Sequence, residues 1–367
     1  MTPRNILMTT DAVGGVWQYS CDLACELAGQ GHRITLAVMG PSPSTAQRSA
    51  LTAPPRIRLV ETGLPLDWLC DGPAPVEAAA RWLAAMARDE GCDVVHCNMP
   101  SLAGAADWPV PLVAVAHGCV STWWEAAKRV PLDPQFGWHR DMTLRGFEAA
   151  DAVVAPSRSY ADTVARYYGL PRKPRVVLNG RRALASGTPA EQPLHGALTV
   201  GRLWDPCKNA ALLDKVARGL GAPFLAAGAL RGPHGEEVVL RHLAGLGEIG
   251  SDQLASLLAQ QPVFVSAASF EPFGLAVLEA AAAGCALVLS DIPTFRELWG
   301  GAALFVPQDD AAGFETAIRT LLDDGELRQR AGLAAKVHAR RYTPTATAGA
   351  IAGIYDEVLD RPIGVAA

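Results

Sequence analysis

The chain has 367 residues, too many for one ordinary hydrophobic core, so two domains are expected. Half the residues are hydrophobic, 19% are charged and the net charge is −5, a globular composition with no global basic field to gather nucleic acid. The eight cysteines are scattered without a CxxC pair or a zinc spacing, which reads as reduced thiols in a reducing compartment.

The N-terminal MTPRNILMTTDAVGG carries no signal peptide pattern; residues 5–10 read as a short buried strand and DAVGG as a turn. A helix is expected over 16–31, stopped by Gly31, then a strand over 33–40 and another at 57–62. A helix over 75–90 precedes strands at 92–98 and 111–118, a helix at 135–150, a strand at 151–157, a helix at 158–168 and a strand at 175–180. Periodicity then lapses over 181–196, where Pro, Gly and Ser gather, and a linker is expected. The rhythm restarts with a strand at 197–203, a helix at 208–219, a strand at 222–228 and a helix at 234–246. A helix over 251–260 with Ser251 as its cap, a strand at 262–268, a helix at 274–283 and strands at 285–291 and 303–307 follow. Helices fill 310–340, Thr343-Pro344 breaks the chain, and a last helix runs over 345–359. Two doubly wound α/β halves are therefore expected. The longest apolar stretch, 273–289, is interrupted by Glu279 and Gly284, so no membrane span is expected.

In open α/β sheets, ligands bind beyond the carboxyl ends of the strands, so polar motifs at strand ends matter most. The first is the Gly14-Gly15 pair, where backbone can approach an anion at a helix N-terminus. It is equally readable as a tight turn. The GxGxxG of a dinucleotide site is absent, and the second strand ends without an acid for a ribose. The second motif is His117-Gly118; His96 also ends a strand, and both a structural and a functional role stay open there. The third is GRLWDPCKN, in which Arg202 and Lys208 stand six residues apart around a loop. Lysine is scarce in this chain, only Lys128, Lys173, Lys208, Lys215 and Lys336. A fork and a compact charge from two directions suit a diphosphate, although a solvated basic pair is the plainer alternative.

The fourth motif is FEPFGLAVLEA, residues 270–280, apolar except for Glu271 and Glu279. Eight residues of helix is about 800° of rotation, so the two carboxylates would stand ~80° apart even on one helix. Glu271 is expected to precede the helix and Glu279 to sit two turns inside it. Such a pair can accept hydrogen bonds from two hydroxyl clusters of one ligand, with the helix N-terminus aimed at phosphate between them. A dipole partner plus a surface glutamate is the alternative.

In order and at strand ends, these motifs resemble the family-4 retaining nucleotide-sugar glycosyltransferases. The E-x7-E signature is Glu271 followed by Pro-Phe-Gly and Glu279, and GRLWDPCKN fits the family's G-R-L…K-N segment. DVVHCN, ADAVVAPS and VVLNG fit recurrent segments of the first half. The resemblance implies the GT-B fold, two Rossmann-like domains facing a central cleft. The N-terminal, acceptor-side domain would cover 1–180 plus a returning helix at 344–360. The nucleotide-sugar domain would cover 181–343.

By the same resemblance, Arg202 and Lys208 would bind the donor diphosphate, Glu271 the sugar hydroxyls and Glu279 the ribose. Backbone amides around Phe273, Gly274 and Leu275 would contact sugar and phosphate. His117 would line the donor sugar, and Gly14 and Gly15 would approach the diphosphate. The reaction would be transfer, with retention, from a UDP- or GDP-linked sugar to an unidentified acceptor hydroxyl on a glycan, lipid or small molecule. No DxD with apolar flanks is present, so neither a metal nor another cofactor is expected. A GT-B sugar-nucleotide epimerase and an inactive nucleotide-sugar-binding subunit are the alternatives. The loop after Gly118 departs from the family pattern with Trp123, Trp124, Phe136, Trp138 and His139. Rings stack on sugars and line apolar sites, so Trp123, Trp124 and His139 are the candidates for acceptor recognition. A cytoplasmic location is expected, with peripheral contact at the inner face of a membrane left open.

Overall fold

The structure is a computed structural model describing residues 2–51, 56–184 and 194–360. The expected linker at 181–196 falls largely on 185–193, outside the described residues. The chain divides into two compact units: Met1–Arg181 with Thr343–Ala367, and Arg182–Tyr342.

The first unit holds strands β1 (Asn5–Asp11), β2 (Arg33–Met39), β3 (Ile57–Glu61), β4 (Val94–Cys97), β5 (Leu112–Val115), β6 (Ala152–Ala155) and β7 (Arg175–Val176). They form one sheet in the order β3-β2-β1-β4-β5-β6-β7, with every pairing parallel. Ile6, Leu7 and Met8 are all wholly buried, as expected of a parallel strand covered on both faces. Helices α1 (Gly15–Gly29), α2 (Thr45–Ala50), α3 (Pro73–Asp89), α4 (Val120–Lys128), α5 (Gly137–Ala149) and α6 (Arg158–Tyr168) connect the strands.

The second unit repeats the plan with β8 (Ala197–Val200), β9 (Phe224–Ala227), β10 (Ala244–Gly247), β11 (Val263–Ser266), β12 (Leu287–Ser290) and β13 (Leu304–Val306). Their order is β10-β9-β8-β11-β12-β13, again all parallel. Its helices are α7 (Ala210–Leu220), α8 (Ser251–Ala259), α9 (Leu275–Ala283), α10 (Pro293–Trp299), α11 (Ala311–Asp323) and α12 (Gly325–Ala339). Phe273, Val277, Phe295 and Trp299 pack one face of this sheet, and Leu213, Val216, Phe314 and Ile318 the other.

The last helix, α13 (Pro344–Leu359), belongs to the first unit. Thr343 caps it by accepting from the Ala346 amide at 3.2 Å, and Pro344 suits its first turn. Ile351, Tyr355 and Val358 of α13 pack with Tyr19, Leu23 and Leu27 of α1, each such burial stabilising by roughly 1.5–3 kcal/mol. Gly180 lets the chain cross beneath this start, because a Cβ there would lie 2.0 Å from the Thr343 carbonyl carbon. That crossing accompanies the early end of β7 at Val176, short of the expected 180.

Two expectations fail in the second unit. Residues 234–243 are not helical; they form a loop with an antiparallel bridge between Arg231 and Glu237, leading into β10. Asp214 explains the outcome: its Oδ1 accepts from the amides of Arg241, His242 and Leu243 at 2.8–2.9 Å, binding the loop down as a turn. The cap of α8 is Gly250, in an extended conformation, and Ser251 is already the first helical residue.

Candidate active site

In the first sheet the connections run outward in opposite directions from β1 and β4; in the second, from β8 and β11. Each pair marks a topological switch point, where the carboxyl ends of parallel strands open a crevice. GRLWDPCKN follows β8 and FEPFG follows β11; DAVGG follows β1, and Asn98 follows β4.

Beyond β8, Asp205 organises the loop. Its Oδ1 accepts from the Cys207 amide at 2.9 Å and caps a single 3-10 turn, Pro206–Lys208. Its Oδ2 accepts from Arg202 Nη2 at 3.2 Å. The Arg202 guanidinium lies 5.7 Å from the centre of the Trp204 ring and remains largely exposed. The Lys208 stem runs past Gly201, where a Cβ would sit 3.6 Å from Lys208 Cδ. Gly228, at the end of β9 with φ +138°, is compelled by contact, since its Cβ would lie 1.7 Å from the Gly201 oxygen.

The β8 and β11 loops are tied together twice. The Ser269 amide donates to the Cys207 carbonyl at 2.9 Å. Lys208 Nζ donates to Glu271 Oε2 at 2.5 Å, with the two side chains 20% and 18% exposed. That is a charge-assisted pair at the rim of the sheet, still open to a ligand.

Helix α9 begins beside it. Gly274 occupies the cap position with φ +93°, and no side chain caps the helix, so its first amides are available to an anion. The Phe273 ring is 3% exposed and meets Tyr342 at 5.7 Å, so Phe273 offers only its backbone to a ligand. Leu275 opens the helix and Glu279 stands in its second turn, half-buried. Arg202, Lys208, Glu271, the Gly274–Leu275 amides and Glu279 thus all lie on the loops and helix at the second switch point.

At the carboxyl end of β1, Asp11 Oδ1 accepts from the Val13 amide at 2.8 Å and turns the chain into α1. Gly14 caps that helix in an extended conformation, with open space where a Cβ would be, and Gly15 is exposed. The rest of this edge is a neutral network. His117 Nε2 lies 2.8 Å from Asn98 Oδ1. Asn98 Nδ2 donates to the Thr9 carbonyl at 2.6 Å and to Ser20 Oγ at 3.1 Å. Tyr19 sets its ring edgewise on His117 at 4.5 Å, and its hydroxyl is 3.3 Å from His96 Nε2. Tyr355 of α13 closes the chain, its hydroxyl 2.7 Å from His96 Nδ1. Burial pushes both imidazoles down to about 3; His117 is lowered further by its neighbour His96. Both are neutral near pH 7. His96, wholly buried, is therefore an interior residue of this network.

The aromatic segment divides. Trp123 and Trp124 sit half-buried on α4, with Lys128 Nζ 5.9 Å from each ring and Phe136 5.5 Å from Trp124. His139 does not fit acceptor recognition: it is 2% exposed, with Nε2 2.9 Å from Asp67 Oδ2 and Nδ1 3.4 Å from Thr143 Oγ1. Burial raises the Asp67 carboxyl, but His139, Ser101 and the Trp68 amide outweigh it and hold the group below its ordinary range. His139 is an interior partner of that carboxylate, because its ring points into the packing between α5 and the Asp67 turn.

Sequence reading missed Asp205 and Asn98. Both carried a signal: Asp-Pro at a turn start is a capping pattern, and Asn98 is a polar residue closing a strand. Among the described residues no group of three or more His, Cys, Asp or Glu is gathered as a metal site requires, and no helix is long and apolar enough to cross a membrane.

Comparison with known proteins agrees with this geometry. The model of Glycosyltransferase Family 4 matches residues 13–182, and that of Glycosyl transferases group 1 matches residues 239–338. The chain is 28% identical to the phosphatidyl-myo-inositol mannosyltransferase of Mycolicibacterium smegmatis, covering 95% of this chain and 91% of that one. It is 27% identical to a glycogen synthase of Mycobacterium tuberculosis, over 88% and 86% of the two chains. Among solved structures, sucrose-phosphate synthase from Thermosynechococcus elongatus aligns with TM-score 0.78 at 18% identity, covering 96% and 98%. Anabaena HepE in complex with UDP-glucose aligns with TM-score 0.74 at 17% identity, covering 96% and 100%. The chain has the GT-B fold and belongs to the family-4 glycosyltransferases.

Proposed function

We propose that this glycosyltransferase moves a sugar from a UDP- or GDP-linked donor to an acceptor hydroxyl with retention at the anomeric carbon, without an essential metal. The observation that carries the reading is the Lys208–Glu271 pair at 2.5 Å, beside the uncapped N-terminus of α9. A cation, a carboxylate and free helix amides at one strand edge match the parts of a nucleotide sugar: diphosphate, hydroxyls, and the phosphate oxygens between them.

In this mechanism the bond from the anomeric carbon to the diphosphate oxygen breaks, and Lys208 and Arg202 stabilise the charge growing on that oxygen. The acceptor oxygen attacks from the same face and passes its proton to the leaving diphosphate, so no protein nucleophile is required. Glu271, held by Lys208 in the free enzyme, accepts from the sugar hydroxyls when donor is bound. Glu279 accepts from the ribose. In the first unit, His117 and the Gly14-Gly15 turn are proposed as ligand contacts, and Trp123 and Trp124 as the acceptor surface. The relatives bear different names, phosphatidyl-myo-inositol mannosyltransferase and glycogen synthase, and the acceptor proposed here is a hydroxyl of a glycan, lipid or small molecule. A cytoplasmic enzyme with peripheral contact at the inner face of a membrane fits either kind.

The test is a panel of UDP-, GDP- and ADP-sugars read by thermal shift and by release of the nucleotide. At least one donor should stabilise the protein and be hydrolysed slowly, and Glu271→Ala should abolish both effects. If no donor binds or turns over, and Glu271→Ala changes nothing, the transferase reading fails. Appearance of free epimerised sugar without acceptor would turn it into an isomerase.

A further inference from the structure

Where a helix was expected after β9, the chain instead makes a hairpin, and that hairpin reaches the charged edge of the second unit. Arg231 and Glu237 form an antiparallel bridge and an ion pair at 3.1 Å. The Val238 amide donates to the Leu230 carbonyl at 3.0 Å, and the Gly232 amide to the Glu236 carbonyl at 2.8 Å. Leu230 and Val238 pack on the hydrophobic cluster that holds Leu213 and Phe314, so the base of the hairpin is fixed to the core. Its start is tied to the loop after β8, because the Trp204 amide donates to the Ala229 carbonyl at 3.2 Å.

The contact continues through side chains. Gly232 packs against the half-buried indole of Trp204. A Cβ on Gly232 would lie 2.7 Å from Trp204 Cε3 and 2.8 Å from Cδ2, well inside the separation of non-bonded carbons. It would also meet Glu236 Oε2, the end of a flexible side chain that can give way; the ring has to be displaced. The same indole has the Arg202 guanidinium 5.7 Å from its centre, within cation–π range. Arg202 Nη2 donates to Asp205 Oδ2 at 3.2 Å. Asp205 is buried, and its other oxygen accepts from the Cys207 amide, so that acceptor is fixed in place. One hydrogen bond alone lets a long side chain swing about it, and a ring beside the guanidinium limits the swing.

We propose that Trp204, braced by the 230–238 hairpin through Gly232, is a positioning residue that holds the Arg202 guanidinium at the end of β8 for a diphosphate. The identity of that anion rests on the nucleotide-sugar reading. Trp204 acts through Arg202 and does not touch the reacting atoms. A glycine in a surface hairpin thereby controls how well a cation of the site meets phosphate.

Nitrogen-15 NMR of the arginine Nε–H groups in the full chain tests the brace without any ligand. Arg202 is assigned by the signal lost in Arg202→Gln. In wild type this group should be ordered and displaced by the indole ring current. Trp204→Leu should lose both properties, Trp204→Phe should keep part of each, and Gly232→Ala should move the signal toward that of Trp204→Leu. Each variant is first checked for a native circular-dichroism spectrum and a cooperative melt; if Trp204→Leu fails that check, Gly232→Ala carries the comparison. A wild-type Arg202 signal as mobile as those of arginines without a partner ring, or one unchanged in the folded variants, overturns the brace.

The second arm is a double-mutant cycle read by isothermal titration calorimetry with UDP, GDP and inorganic pyrophosphate. In the wild-type background Trp204→Leu should weaken binding by about three- to fivefold, and Gly232→Ala by a similar factor. In an Arg202→Gln background the same substitutions should change affinity by less than about twofold, because no guanidinium is left to position. Equal losses in both backgrounds would show that Trp204 supports the loop and not Arg202, and would overturn the proposal. Binding of none of the three probes by wild type, with the NMR result as expected, contradicts the diphosphate reading and leaves the brace standing.

Discussion

The two switch points are built from the same topology and opposite electrostatics. In the second unit the loops after the strands carry Arg202, Lys208 and Glu271, open to water, and Asp205, buried and paired with Arg202. In the first unit, beside the Asp11 turn, His96, Asn98 and His117 at the strand ends and Tyr19 of α1 form a neutral network of hydrogen bonds and ring contacts, with His96 wholly buried. The three open charges stay near water because desolvating them costs several kcal/mol per ion, whereas a closed neutral network can sink into the core. The charged edge is suited to holding an anion and the neutral edge to orienting hydroxyls. The difference can be broken by measurement.

The largest effect should come from acid. Burial pushes His96 down to about 3, against an unfolded value near 6.5. Between these values the unfolded chain binds a proton that the folded one does not, so stability rises with pH there. It is complete above pH 6.5 and is lost as pH falls toward 3. The loss from His96 alone is on the order of 4 kcal/mol at the bottom of that window. Urea unfolding at pH 7 and pH 5 should show the slope, and His96→Gln should lower stability at pH 7 while flattening it. A wild-type midpoint independent of pH over that range would mean that the neutral edge is wetter than its packing indicates.

Next in size is Lys208→Ala. Removing a cation aimed at developing charge should lower kcat by about 10²–10³-fold, roughly 3–4 kcal/mol. Melting temperature should change little, because Glu271 remains at the rim, where water can solvate it once its partner is gone. Equal losses of turnover and stability would make Lys208 a fold-holding residue and erase the contrast between the edges.

The same contrast explains what was legible in the sequence. The placement of Arg202, Lys208 and Glu271 on loops after strands, and of Glu279 on the helix that follows, was legible because polar motifs stand out at the ends of apolar strand runs; their roles came only from the resemblance. The alternating strands and helices were likewise legible from runs such as NILMTT and PVFVSAA. The neutral network was not, because Tyr19, the His96–Asn98 strand end and Tyr355 come from three distant segments, and only the register of β1 with β4 and the return of α13 bring them together. The same reason hid His139, which looked like part of an aromatic surface until Asp67, 72 residues earlier, supplied its buried partner. The helix expected at 234–246 failed for a tertiary reason too: the carboxylate of Asp214 captures three of its amides.

Gly274→Ala should have an intermediate effect. At φ +93° an L-residue is strained by roughly 1–2 kcal/mol, and its Cβ would lie 3.2 Å from Phe295 Cε1 and 3.3 Å from Glu271 Cγ. The added methyl therefore presses on the charged edge itself. Differential scanning calorimetry should show the loss, and donor affinity should weaken with it. Unchanged donor affinity alongside the expected loss of stability would separate the α9 cap from the site.

The smallest effect is expected from Tyr355→Phe. The hydroxyl is 2.7 Å from His96 Nδ1, deep in the packing of α13 on the first sheet. Removing it costs one buried hydrogen bond and leaves an imidazole nitrogen unpaired, about 1–2 kcal/mol. His117 lies two contacts further along, through His96 and Tyr19, and keeps its own bond to Asn98. Urea unfolding should therefore register the change while kcat stays within about twofold of wild type, since ~0.4 kcal/mol is all that a twofold change represents. A tenfold fall in kcat with stability intact would show that the buried half of the network reaches the reacting sugar. The neutral edge would then be working chemistry along its whole length, and α13 would be one of its parts.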